Sequence, residues 1–170
     1  MEMKHVEVAD IFHLTIIYAK CMIDMRRPLW GSLRAKAQSS STPGCVIGDF
    51  NVIASIEEKI CGIPYQINKS LEFLSMIEDC GLTNLGYYGH RYTWSNGKGT
   101  CSIVWKRLDR GLANDNWLAT HPATTITHLA SASLDHSPLL LALHVIPDNA
   151  IKYFKFLNCW TENASFLPLV

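Results

Sequence analysis

The stretch Cys45-Val46-Ile47-Gly48-Asp49-Phe50-Asn51 decides the fold of this chain. Apolar, strand-favouring residues run without a charge to a glycine, which is typical of a short buried strand that ends at the acidic side chain. In an extended segment, residues i and i+2 project to the same side, so Asp49 and Asn51 are expected to face one cleft. Glycine, aspartate and asparagine also favour turns, and an ordinary turn explains the stretch equally well when it is taken alone.

Hydrophobic patterns on either side of this stretch predict alternating strands and helices, and then a strand-rich second half. The helix over 70–80 has Ser70 as its predicted N-cap, Gly81 as its stop, and Leu71, Leu74, Met76 and Ile77 as its inward face. The Asn-Gly pair within 95–99 predicts a hairpin. Strands are predicted at 12–19, 45–48, 91–94, 101–105, 124–129 and 139–145, and helices at 26–38, 70–80 and 114–120. This order predicts a sheet-rich α/β (α+β) sandwich with acidic residues at strand ends.

Composition limits the class of protein. The 170 residues are 48% hydrophobic and 18% charged, which indicates a globular chain, and 15 basic residues balance 15 acidic ones. A zero net charge argues against a histone-like protein that binds nucleic acid by bulk charge. The first ten residues are no signal peptide, and no apolar run is long enough to cross a bilayer, so a soluble intracellular protein is expected. The six scattered cysteines are interpreted as reduced thiols (Cys21, Cys45, Cys61, Cys80, Cys101 and Cys159).

Two short motifs carry groups that suit phosphoryl chemistry. Asp49 can hold a metal ion or accept a proton from water, and Asn51 can donate to a phosphate oxygen. In Asp135-His136, a carboxylate lies beside an imidazole that could stabilise negative charge or move a proton. The alternative interpretation of the second motif is a surface turn capped by Pro138.

Asp109 lies in the charged run 106–110. It could orient His136, because a carboxylate behind an imidazole fixes the tautomer of the ring and raises its basicity. The simpler interpretation is an ion pair at a strand end, with Arg107 and Arg110 as solvated charges.

Aromatic residues near these motifs have two interpretations. The Tyr18 hydroxyl could reach a phosphate, although a tyrosine at a strand end usually belongs to the core or its rim. Trp94 and Trp105, with Lys98 and Arg107, could form a rim that stacks on bases and contacts phosphates. Packing between sheet layers is the alternative for the two tryptophans.

Five ordered blocks together resemble a known superfamily: IIYA at 16–19, VIGDFNVI at 46–53, YTWSNG at 92–97, WKRLDRGLAN at 105–114 and LDHSPLLL at 134–141. The resemblance is to the exonuclease–endonuclease–phosphatase superfamily, which has the DNase I-like fold, and within it to endonuclease domains of plant LINE-type (non-LTR) retrotransposons. It implies a partial four-layer αββα sandwich over residues 1–147. Residues 148–170 resemble the linker that precedes a reverse transcriptase domain in such elements.

The resemblance implies a role for each matched residue. Asp49 would orient or deprotonate the attacking water, and Asn51 and Tyr18 would contact the scissile phosphate. Asp109 would pair with His136, which would stabilise charge on phosphorus. Mg²⁺, or Mn²⁺ in its place, would be held by Asp135 with contributions from Asp49 and Asn51. The implied reaction is nicking of DNA to leave a 3′-hydroxyl, in the nucleus.

Two departures from the family pattern stand out. Members begin with a strand that carries an asparagine and a strand that ends in the main metal-binding glutamate, whereas only residues 1–11 precede the first strand here. Glu2 and Glu7 lack the expected surroundings, and Leu134 replaces the usual serine. We therefore expect an N-terminally truncated, impaired endonuclease with weak Mg²⁺ affinity.

Other functions remain open at this point. They are a phosphoesterase of the same fold that acts on small molecules such as inositol phosphates, a non-catalytic module that binds nucleic acid or another partner, and a product with no selected role.

Overall fold

The computed structural model describes residues 2–3, 11–98, 102–130 and 135–143. Within these ranges the chain is a mixed α/β protein, so the predicted α/β (α+β) class is confirmed. The strands are β1 (Glu2–Met3), β2 (Phe12–Tyr18), β3 (Gly44–Asp49), β4 (Lys59–Ile60), β5 (Leu82–Asn84), β6 (Tyr88–Gly89), β7 (Trp94–Ser95), β8 (Trp105–Lys106), β9 (Asp109–Asn114), β10 (Thr125–His128) and β11 (Leu139–Ala142). The helices are α1 (Ile23–Ser39), α2 (Leu71–Asp79) and α3 (Asp115–Thr120).

The first sheet has the strand order β1-β2-β3-β9-β5. Strands β2 and β3 are parallel, and α1 makes the crossover that a parallel pair requires. Strand β9 then runs antiparallel to β3, and this register sets Asp49 directly opposite Asp109. Two acidic residues therefore meet at one end of the sheet.

Two smaller sheets complete the described strands. The second sheet has the order β11-β10-β6, and the third sheet has the order β4-β8-β7. An isolated bridge between Trp94 and His136 links the third sheet to the segment that leads into β11.

One face of the first sheet is covered by α1 and α2. The largest buried side chains between them are aromatic: Trp30, Phe50 and Phe73 have ring centroids 5.3–6.3 Å apart. Helix α1 begins at Ile23, three residues before the predicted start, so Pro28 lies inside the helix and not in its first turn.

The inward face of α2 is partly different from the prediction. Phe73 and Met76 are buried, whereas Leu71, expected in the core, is 52% exposed. Ser70 occupies the N-cap position, but its hydroxyl donates to the Ile53 carbonyl and does not cap the helix. Gly81 follows the helix with φ of 57°, as expected of a C-terminal stop.

The other face of the first sheet packs against α3 and the second sheet. Phe12, Trp117 and Ile126 form the centre of this cluster. The predicted helix around Trp117 is confirmed, and the Asn114 side chain caps it by accepting from the Trp117 backbone N–H at 2.9 Å.

The predicted hairpin is present, but its strands are shorter than predicted. Strands β7 and β8 have two residues each, and Asn96 organises the connection by accepting from the Val104 N–H at 3.0 Å. Asp109 does not continue the hairpin strand as predicted, because it opens β9 in the first sheet.

No helix in the described ranges is long and apolar enough to cross a membrane. Four of the cysteines predicted to be reduced are described, and all four are free thiols: Cys21, Cys45, Cys61 and Cys80. The predictions that concern Glu7, Leu134 and residues 148–170 fall outside the described residues, as do Cys101, Cys159 and the end of the strand predicted at 139–145.

Candidate metal centre

Two buried carboxylates meet where β3 ends and β9 begins. Asp49 is 5% exposed and Asp109 is 7% exposed, and the two residues are paired in register. The backbone carbonyl of Asp49 also accepts from the Ala19 N–H at 2.8 Å, which fastens the end of β3 to the chain leaving β2. Strand pairing thus holds two negative groups together inside the protein.

Asn51 does face Asp49, as the i and i+2 spacing predicts, although the chain between them is not extended. Asn51 has φ of 52°, a left-handed conformation that asparagine tolerates better than most residues. Its backbone N–H donates to Asp49 Oδ1 and its Nδ2 donates to Asp49 Oδ2, both at 2.7 Å. Nδ2 also donates to the Ala19 carbonyl at 2.9 Å, so both amide hydrogens are engaged within the protein. Asn51 would have to release one of them to bind a phosphate.

His136 completes the group from a different part of the chain. Its Nδ1 lies 2.9 Å from Asp109 Oδ2, and its Nε2 lies 3.9 Å from Asp49 Oδ2. The predicted contact between Asp109 and His136 is therefore confirmed. Because Nδ1 faces a carboxylate, the ring has a fixed orientation and presents Nε2 towards Asp49.

Thr93 fixes the relative position of these segments. Its hydroxyl oxygen accepts from the backbone N–H groups of Leu108 and Asp109, both at 3.0 Å, and its carbonyl accepts from the Ser137 N–H at 2.7 Å. Thr93 is 1% exposed, so these bonds form in a dry environment where they are strong. The sequence analysis missed this residue, because a threonine beside a hairpin has no distinguishing pattern.

Burial raises the pKa of Asp49, and the negative charge of Asp109 raises it further. The Asn51 N–H, His136 and Arg26 act in the opposite direction. Two buried carboxylates in contact repel each other when both are ionised. A bound cation would offset this repulsion. The two carboxylates therefore favour the binding of a cation at this site.

The donor set fits a divalent cation. One ligand atom from each of Asp49, Asp109 and His136 lies within 4.8 Å of the others. The carboxylate oxygens suit hard ions such as Mg²⁺ and Mn²⁺, whereas the imidazole nitrogen suits transition metals. The geometry therefore supports a metal site and leaves the identity of the ion open.

Two residues predicted at the site lie outside this group. Asp135, expected to be a metal ligand, is exposed, and within the described residues the metal-competent cluster does not include it. Tyr18 pairs in register with Asp49, but its side chain is 83% exposed, whereas the two carboxylates are buried.

Arg107, predicted to contact substrate, is instead part of a buried ionic cluster. Arg107 and Arg110 are 7% and 1% exposed, and both bind the carboxylate of Glu58 at 3.0–3.1 Å. The interpretation of both arginines as solvated charges was therefore wrong. Their guanidinium groups also lie over the Tyr87 and Phe73 rings, which replaces part of the lost hydration.

The two tryptophans differ in environment. Trp94 is half-buried, pairs with His136 through the backbone, and carries the Lys106 ammonium 4.9 Å from its ring centroid. Trp105 is 39% exposed on β8. Of the predicted aromatic rim, Trp94 is the member that lies beside the metal-competent group.

No protein-family model matches this chain, and a search of curated proteins found no match.

Proposed function

We propose that this protein is a divalent-cation-dependent phosphodiesterase that nicks DNA. The observation that carries the proposal is the convergence of Asp49, Asp109 and His136, which come from three separate segments, on one partly open point. Hydrolysis of a phosphodiester depends mainly on positioning and on neutralising negative charge, and this group supplies both.

The chain's own residues divide these tasks. Asp49 and Asp109 would hold the cation, which when bound acidifies a water molecule and offsets charge on the phosphate. His136, oriented by Asp109 through Nδ1, presents Nε2 to donate a proton or a hydrogen bond to a phosphate oxygen. Asn51 keeps the Asp49 carboxylate in place through two hydrogen bonds.

Weak cation binding is part of the proposal. Mg²⁺ is usually held by one or two carboxylates together with waters and substrate phosphates. The described residues offer two carboxylates, one of which already accepts from His136. We therefore expect affinity for the cation to rise when a phosphodiester is bound, and activity to be low at submillimolar Mg²⁺.

We also propose that the fold is a DNase I-like αββα sandwich, of the kind found in plant LINE-type retrotransposon endonucleases. Support comes from the five ordered sequence blocks, from the parallel β2–β3 pair with its helical crossover, and from the contact between Asp109 and His136. A nuclear location and a reverse transcriptase partner domain belong to the same proposal.

The test is nicking of supercoiled plasmid by the purified chain with Mg²⁺ or Mn²⁺. We expect nicking that chelation by EDTA abolishes, and a decrease of about 100-fold or more in His136→Ala and Asp49→Asn, because each loses a group needed for charge stabilisation. The measurement is the rate of conversion to open-circular DNA on a gel.

His90→Ala is the matched control, because His90 is exposed and lies outside the metal-competent group. It should nick at the rate of the unmodified protein. Nicking that persists in both site variants would contradict the assignment of the site. Salt-sensitive DNA binding without any nicking would favour a non-catalytic binding module.

A further inference from the structure

A second cavity adjoins the metal-competent group. It has a volume of about 500 Å³ and is lined in part by Asn51, whose Nδ2 donates to Asp49 Oδ2 at 2.7 Å. Its polar lining includes Arg26, Lys59, Lys69 and Lys106. The volume lies within the range of cavities that bind small ligands or parts of larger ones.

The charge of this cavity is strongly one-sided, although the whole chain has zero net charge. Asp24 is the one acidic residue among the described residues that line it, and its carboxylate is already paired with Arg27 at 3.0 Å. Arg26 is used by the fold, because it is buried and donates to the Asn51 carbonyl. Lys59 donates to the Ile63 carbonyl and Lys106 lies over the Trp94 ring, but neither contact neutralises a positive charge. The three lysines therefore form a local excess of positive charge.

Two of these lysines are placed at a cost to the fold. Lys59 and Lys106 are direct partners across the antiparallel β4–β8 pair. Like charges that face each other across a sheet are destabilising. Burial lowers the pKa of Lys106, and the charges of Lys59 and Lys69 lower it further. An anion bound in the cavity would attract both ammonium groups and so offset the repulsion between them.

We propose that this lysine pocket binds a second phosphate group of the DNA strand, next to the phosphate held at Asp49, Asp109 and His136. The proposal rests on the proposed function for the identity of the strand. Asn51 lines the pocket and donates to Asp49, so the two sites adjoin and we expect one strand to contact both.

The remaining lining suits a nucleotide better than a free anion. Apolar side chains, including Val52, Ile63 and Leu108, form the rest of the wall. A sugar or base can contact this wall while the lysines hold the phosphate. Lysine binds phosphate as a point charge and does not read sequence, so we expect the pocket to grip the strand without base preference.

The experiment measures binding apart from catalysis. A short fluorescein-labelled DNA duplex is titrated with the full chain in EDTA, and the dissociation constant is obtained from fluorescence anisotropy at several salt concentrations. We expect the double variant Lys59→Gln/Lys69→Gln to bind about tenfold more weakly, with a salt dependence shallower by about one unit of log–log slope per lost phosphate contact.

Lys36→Gln is the matched control, because Lys36 lies in the last turn of α1 and contacts Thr15 away from this pocket. It should leave both affinity and salt slope nearly unchanged. Equal binding by the double variant and the unmodified chain, or an equal loss in Lys36→Gln, would overturn the pocket assignment. Binding of an inositol polyphosphate in place of DNA would overturn the assignment to a strand.

The outcomes also separate this proposal from the proposed function. If the unmodified chain binds DNA but never nicks plasmid, and the double variant loses this binding, the pocket assignment is supported and the nuclease function is refuted. Nicking that is unaffected by the two lysine substitutions would refute the pocket and leave the nuclease standing.

Discussion

His128 is a buried ring whose protonation is tied to the folded state. It is 2% exposed, stacks on Tyr87 with ring centroids 4.5 Å apart, and its Nδ1 lies 2.6 Å from the His90 carbonyl. Burial lowers its pKa, while the bond to His90 raises it and the charge of Arg107 lowers it. The neutral form is therefore the one that the fold accommodates.

This arrangement predicts a loss of stability on acidification. The pKa of His128 is lower in the folded protein than in the unfolded chain, so acidification protonates the unfolded chain first. The contribution of His128 to the free energy of unfolding is therefore fully present above about pH 6.5 and falls as the pH drops towards the folded pKa. The free energy of unfolding should decrease by up to about 1.4 kcal/mol per pH unit from this group. Urea unfolding from about pH 7.5 to about pH 5 measures it.

His128→Phe keeps a ring against Tyr87 and removes the titrating group, so the decrease below about pH 6.5 should become smaller. His90→Ala serves as the control, since its side chain is exposed and its carbonyl remains. An identical pH dependence in His128→Phe and the unmodified chain would contradict this explanation.

At the scale of single residues, the sequence predicted which polar side chains meet better than it predicted their surroundings. Asp49, Asp109 and His136 were recognisable, and their convergence is confirmed. The burial of Glu58 was not recognisable, because a glutamate within a charged run has the pattern of a solvated surface. Its carboxylate instead binds Arg107 and Arg110 in the interior, and no local pattern reports a partner 52 residues away.

Glycine has opposite roles in a strand and in a helix of this protein. Gly48 in β3 has φ of 133°, and a Cβ there would lie 2.2 Å from the Ile17 carbonyl oxygen of β2. The positive φ and the close approach to the Ile17 carbonyl both involve the backbone, so no change of side-chain rotamer can relieve them. Gly31 in α1 is exposed, and a Cβ there would have no atom within 4 Å.

Gly48→Ala should therefore lower the free energy of unfolding by about 2–4 kcal/mol, through backbone strain and displacement of β2. Gly31→Ala should raise it by about 0.5–1 kcal/mol, since alanine loses less backbone entropy in a helix. Chemical denaturation of both variants measures the difference. A neutral Gly48→Ala would mean that β2 and β3 are not held in this register.

Helices and strands with a clear hydrophobic periodicity in the sequence were predicted well, whereas those that depend on tertiary contacts were not. Strand β3 and helix α3 agree closely with their predicted ranges. Helix α2 was found, but its inward face turns towards Phe73, because Trp30 and Phe50 are there to receive an aromatic ring. The short strand β8 is set by pairing with β4 on one side and β7 on the other, and Asn96 organises the connection, which periodicity does not capture.

At the scale of the molecule, the metal-competent group connects all three sheets. Asp49 and Asp109 belong to the first sheet, while His136 bridges to Trp94 of the third sheet and precedes β11 of the second. A cation bound here would be linked to the folding of all three described sheets.

We therefore expect Mg²⁺ or Mn²⁺ to raise the free energy of unfolding, by about 2.7 kcal/mol at a free concentration 100 times the dissociation constant. Urea unfolding with and without the cation measures the gain. Asp49→Asn and Asp109→Asn should remove it, whereas Asp115→Asn, an exposed residue of α3, should retain it. A cation effect that is equal in all three variants would place the binding elsewhere.

The strand order of the first sheet governs how the chain is exposed during its own synthesis. Strand β3 can pair with β2 as soon as both have been translated, but its other neighbour is β9, which is encoded much later. Until β9 emerges, β3 presents an open edge of the kind that recruits other chains. The nascent chain therefore exposes this edge throughout the interval between the synthesis of those two strands. The acidic pair at Asp49 and Asp109 forms only when that interval closes.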